Sequence, residues 1–201
     1  MSKTRNKINR FKGLRCFFIG PFLFSLLFSG HPISIDGLYQ DWEDVPIAYI
    51  DTEDDDLGAD YSTLKITYDS EFLFIYFNFF NGEFLMQDWN DFHLYIDADN
   101  DSSTGHYVHG IGAELDWTFG DRSGYKHVEG QQSELYQNDL TLRIAPTITS
   151  TEFEVAIARG SSPLTLNGSQ SFTGGKLVLS EVEEGGDLIP SESGGVSFTI
   201  G

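Results

Sequence analysis

The chain has 201 residues with 12 basic and 31 acidic side chains and a formal charge of −19. Six of the basic residues and none of the acidic ones precede residue 31, so the remainder carries about −25. That charge repels phosphate backbones and anionic lipid, which excludes nucleic-acid binding and membrane-surface binding as functions of this part. The single cysteine, Cys16, lies in the leading segment, so residues 31–201 must be stable without disulfides.

Residues 1–30 read as a secretory signal. Lys3, Arg5, Lys7, Arg10, Lys12 and Arg15 form a basic start, Cys16 to Phe28 is apolar, and the small residues Ser29 and Gly30 come next. The apolar stretch is interrupted by Gly20 and Pro21 and falls short of the roughly 20 residues that span a bilayer. The expected mature part, 31–201, is then exported, secreted or periplasmic, and free of the membrane once the signal is removed.

From residue 31 onward the pattern has period two, as half-buried antiparallel strands require. Leu64, Ile66 and Tyr68 alternate with Lys65 and Thr67, and Phe92, Leu94 and Ile96 alternate with His93, Tyr95 and Asp97. Phe72 to Phe80 is apolar on both faces, which predicts a central strand covered on both sides. Ala113, Leu115, Trp117 and Phe119 are predicted to share one face, as are Leu140, Leu142 and Ile144. Further strands are expected at Phe153 to Ile157, Leu177 to Leu179 and Val196 to Ile200, with one short helix around Ser162 to Leu166. Turn signals such as Asp69-Ser70, Asn81-Gly82 and Gly120 to Gly124 separate the runs, and no crossover helices intervene. The expectation is an all-β fold, an antiparallel two-sheet β-sandwich of jelly-roll type with little helix.

The chemistry concentrates at the end of one strand, in Ile96-Asp97-Ala98-Asp99-Asn100-Asp101 running to Gly105. Three carboxylates at alternate positions repel one another, and a bound divalent cation such as Ca2+ relieves this. The loop lacks the glycine and distal glutamate of a helix-loop-helix calcium loop, since Ser102 and Val108 occupy those places. Missing ligands are therefore expected from Gly105 or from the acidic stretch Asp51 to Asp60, with Asp60 the candidate. The competing reading is a solvated acidic turn capping its own amides.

Among aromatic residues, Trp117 is expected in the core by parity, and Trp42 is expected to pack. Trp89, between Asp88 and Asn90 in a polar loop, is the best platform for stacking on a sugar ring, with Tyr107 and Tyr125 behind it. His106 and His109 could ligate zinc with His127 or His93, but no cysteine and no His-Glu-x-x-His pattern supports this, and solvent-facing histidines are the preferred reading. No nucleophile elbow or phosphate-binding loop is present, so nothing in the sequence argues for catalysis.

Several phrases in order resemble the family 9 carbohydrate-binding modules and their calcium-containing β-sandwich relatives. They are Ile35-Asp36-Gly37 with Asp41-Trp42, Tyr68-Asp69 followed by Phe72 to Tyr76, Ile96 to Asn100 with Thr104-Gly105, Gly110 to Leu115, Glu152 to Ile157, and Gly186-Asp187 with Pro190. The resemblance implies a non-catalytic module that binds polysaccharide or another glycan, often placed ahead of a covalently linked catalytic domain. The alternative it leaves open is a structural spacer of a secreted glycoside hydrolase or nuclease/phosphatase-like enzyme, with no sugar binding.

Overall fold

A computed structural model describes residues 33–53, 58–182 and 186–201. The signal segment 1–30 and the central acids Asp54 to Asp56 lie outside the described residues. Among the described residues no helix is long and apolar enough to cross a membrane.

The first sheet contains β1 (Ile47–Ile50), β2 (Asp60–Tyr68), β3 (Phe72–Asn81), β11 (Glu152–Ala158) and β10 (Arg143–Ala145), in the order β1-β2-β3-β11-β10. The second contains β13 (Leu188–Ile189), β12 (Gly174–Ser180), β4 (His93–Asp97), β7 (Leu115–Thr118), β8 (Ser123–Val128) and β9 (Gln131–Tyr136), in the order β13-β12-β4-β7-β8-β9. β14 (Val196–Thr199) pairs with β12 beside β13, and β5 (His106–Val108) with β6 (Ile111–Ala113) forms a separate hairpin. Every pairing is antiparallel. The molecule is a two-sheet all-β sandwich with the hairpin as an extra layer on the second sheet.

Strand parity explains the core. Leu73, Ile75, Phe77 and Phe79 of β3 point inward against Leu94 and Ile96 of β4, Leu115 and Trp117 of β7, and Phe153 and Val155 of β11. The alternate β3 residues Phe74 and Tyr76 are buried on the outside, under a second cluster formed by Ile33, Trp42, Val45 and Ala156. The two-faced apolarity of β3 thus has two separate causes. Trp42 sits in a short 3-10 turn, Gln40–Trp42, and donates its indole N–H to Glu154 at 2.9 Å. The same carboxylate accepts the amides of Asp36 and Gly37 at 2.7 and 2.6 Å, which turns a fully buried charge into the anchor of the N-terminal segment.

Three local expectations are corrected. Leu140, Leu142 and Ile144 do not lie on one strand: Gln137–Leu140 forms a single helical turn, α1, closed by Thr141 in the left-handed conformation, and only Arg143–Ala145 is extended. All three apolar residues still reach the core, because a helical turn and a strand can both deliver the right side. Ser162 to Leu166 is a turn, where Leu166 and Asn167 adopt φ of 49° and 59° and stop any helix from propagating. Ala113 does not share a face with Leu115: the chain divides at Glu114, with Ala113 packed in the outer layer beside Tyr95, Val108 and Ile111.

Candidate metal centre

The loop after β4 organises itself by its own polar side chains. Asp99 accepts the amide of Asp101 at 2.9 Å, and Asp101 accepts the amide and hydroxyl of Ser103 at 2.9 and 2.6 Å. These hydrogen bonds hold the Asp101 carboxyl below the usual range. Asn100 and Gly105 both take positive φ, at 61° and 65°, and a side chain on Gly105 would press on the Ala113 carbonyl and the Glu114 carboxylate. Gly112 is required for the same reason, because a Cβ there would meet the carbonyls of Thr104 and Asp101.

This turn folds back onto the start of β7 and brings Asp97, Asp99 and Glu114 together, with ligand oxygens within 4.8 Å of one another. Asp97 and Glu114 are 0% and 1% exposed. The amide of Ala98 donates to Glu114 Oε2 at 2.8 Å. Neither oxygen of Asp97 closes a hydrogen bond, although the amides of Asn100 and Gly112 and the charge of Lys176, its partner across β12, favour the ionised form. Thr104 Oγ1 lies 3.1 and 3.0 Å from the two oxygens of Asp99, 3.3 Å from Glu114 Oε1 and 2.8 Å from the Asp101 carbonyl. One hydroxyl proton therefore serves four acceptors, and none of them belongs to Asp97.

Two buried acids respond in their titration. Burial pushes the Glu114 carboxyl up to about 7, helped by the charges of Asp99 and Asp97, and burial also raises Asp97. Buried carboxylates without donors are costly and are resolved by protonation or by a cation. The all-oxygen donor set suits a hard divalent ion.

The sequence-predicted ligands separate in space. Asp97 and Asp99 meet, and Gly105 closes their loop. The Asp101 side chain turns outward to the Ser103 amide. Asp60 lies elsewhere: its neighbour Tyr61 donates its amide to Asp187 at 2.5 Å, beside Leu188, which pairs with Ser180. Asp97 instead pairs with Lys176, and along β12 those two positions are about 13 Å apart. Asp51 is buried and accepts the hydroxyl of Ser191 at 2.6 Å. Glu114 was not singled out from the sequence as a ligand. Its signal was the placement of an acid at the junction of two apolar runs, in Ala113-Glu114-Leu115.

A second group gathers on the outer face of the second sheet, where the candidate ligand atoms of His106, Asp116 and His127 also lie within 4.8 Å of one another. Burial, then the proximity of His106, lowers the pKa of His127. His109 is not in this group, and His93 reaches it through Asp116, with Nδ1 3.2 Å from Oδ1.

Of the aromatic candidates, Trp89 is 96% exposed, Tyr107 70% and Tyr125 42%. The ring of Tyr125 lies 6.3 Å from that of His127, and among the described residues no ring contact joins Trp89 to either tyrosine. Trp117 is in the core.

Comparison with known protein families, curated proteins and solved structures returns no significant match.

Proposed function

We propose that this domain is an exported, non-catalytic β-sandwich module, fastened by Ca2+ at Asp97, Asp99 and Glu114, that presents Trp89 to carbohydrate. Calcium suits the centre better than magnesium because it accepts irregular oxygen shells, whereas magnesium demands a near-ideal octahedron and keeps its waters. The ion's place is structural. Carboxylates as enclosed as Asp97 and Glu114 cannot reach a glycosidic bond, although their raised titration alone would suit acid-base chemistry.

One observation carries the reading as a binding module: an indole left almost wholly in water on a chain that buries its other two tryptophans. Such a side chain gives up apolar burial, and an apolar sugar face restores it. The resemblance to family 9 modules supports the same reading and the place of the domain beside a linked hydrolase. The spacer reading is favoured by the lack, among the described residues, of any ring contact between Trp89 and Tyr107 or Tyr125.

Affinity-gel electrophoresis on a panel of soluble polysaccharides tests this. The wild type is retarded by at least one of them and Trp89→Ala is not. Equal mobility of both proteins on every gel favours the spacer.

A further inference from the structure

The histidine group has a chemistry that the calcium centre does not absorb. Register places Asp116 of β7 between Tyr95 of β4 and Tyr125 of β8, and alternation puts His127 on the same outer face. His106 comes from the covering hairpin, where it pairs with Ala113. The two imidazoles are 5.1 Å apart between centroids.

Asp116 is oriented from its far side. His93, stacked flat on Tyr95 at 5.2 Å and 3°, meets its Oδ1 at 3.2 Å. That leaves Oδ2 facing His106, whose Nδ1 stands 3.6 Å away, too far for a hydrogen bond. His106 Nδ1 and His127 Nε2 are both shielded from solvent without a hydrogen-bond partner. Buried polar atoms are rarely left so, and here each of two histidines carries an unengaged ring nitrogen in a group whose candidate ligand atoms, with one from Asp116, lie within 4.8 Å of one another.

We propose that His106, His127 and Asp116 bind a divalent transition-metal ion of the zinc type, at a site distinct from the all-oxygen calcium centre. Imidazole nitrogens favour such ions over calcium. Bonds of about 2.0–2.1 Å set tetrahedral ligands about 3.3 Å apart. Rotation of half-buried side chains draws donors now up to 4.8 Å apart to that spacing. Three protein ligands leave the fourth position to water. Because His106 belongs to the hairpin and the other two to the sheet, the ion pins one layer to the other.

The test uses untagged protein held in saturating calcium, so that the oxygen centre is filled, and titrated with zinc chloride by calorimetry and with cobalt(II) by visible absorption. The proposal expects a single saturable zinc equivalent, about tenfold or more weaker in both His106→Gln and His127→Gln, and cobalt d–d bands that both variants lose. Melting of the variants near the wild-type temperature in calcium shows that they fold. Asp97→Asn retains the zinc equivalent even though it disables the calcium centre, which separates the two claims. Absence of saturable zinc binding and of cobalt bands, or unchanged affinity in both histidine variants, would overturn the proposal.

Discussion

The amide of Ala98 donates to the carboxylate of Glu114 at 2.8 Å, so the residue after Asp97 is tied directly to the acid that faces it from the start of β7. The acidic loop after β4 and the start of β7 are therefore one unit, and its behaviour depends on which oxygens have donors and which do not.

Asp97 and Asp101 should behave oppositely although they are four residues apart. Asp97→Asn removes a fully buried charge whose carboxyl is raised by burial, so in chelator at neutral pH the variant melts at or above the wild-type temperature while losing its response to calcium. Asp101→Asn keeps an oxygen for the Ser103 amide, so it retains that response and melts close to the wild-type temperature. Differential scanning calorimetry with and without calcium checks both. If both variants respond like the wild type, Asp97 is not a ligand.

The chelated protein should become less stable as pH rises. Glu114 titrates at about 7 when folded, against an ordinary value of 4.5. The folded state therefore binds the extra proton between those values, and stability present below about pH 4.5 is lost as pH climbs through about 7. Asp97 acts in the same direction, since its carboxyl is also raised. Calcium needs the ionised carboxylates, so its stabilising increment grows over the same window. Urea denaturation across this range, with and without chelator, measures the slope, and Glu114→Gln should flatten it.

On the opposite sheet, Trp42→Phe keeps the packing of the outer cluster but removes the N–H that meets Glu154. The loss is expected at about 1–3 kcal/mol, the usual cost of depriving a buried acceptor of its donor. Calcium affinity should not change, because Glu154 belongs to the first sheet. A drop in calcium affinity would show that the two sheets are coupled in a way the structure does not imply.

Much of the sandwich was legible in alternation. Phe72 to Phe80 announces a strand covered on both faces, and Trp117 is placed in the core by its parity with Leu115. The loop chemistry was legible only halfway. Alternation correctly sends Asp97 away from Leu94 and Ile96, but it cannot say that β5 and β6 fold over that outer face and bury it. For the same reason alternation cannot tell that Glu114 is buried, and His106 and His127 read as surface histidines. Period two reports which side of a sheet a residue takes, not what covers that side. Leu140 to Ile144 misled in another way, since a helical turn followed by a short strand delivers the same three side chains to the core. Asp60 shares the acidic character of the metal loop, but proximity was set by register along β12, which composition does not contain.

The central claim is that Asp97, Asp99 and Glu114 hold calcium as a fastening between the β4 loop and β7. It is tested most directly by the melting temperature of the wild-type protein at neutral pH, in chelator and then in excess calcium. Calcium at about 100 times its dissociation constant adds about 2.7 kcal/mol, which in a domain of this size raises the midpoint by roughly 5–10 °C. The account predicts a saturable rise of that order, reversed by chelator and lost in Asp97→Asn. Identical midpoints with and without calcium would contradict it.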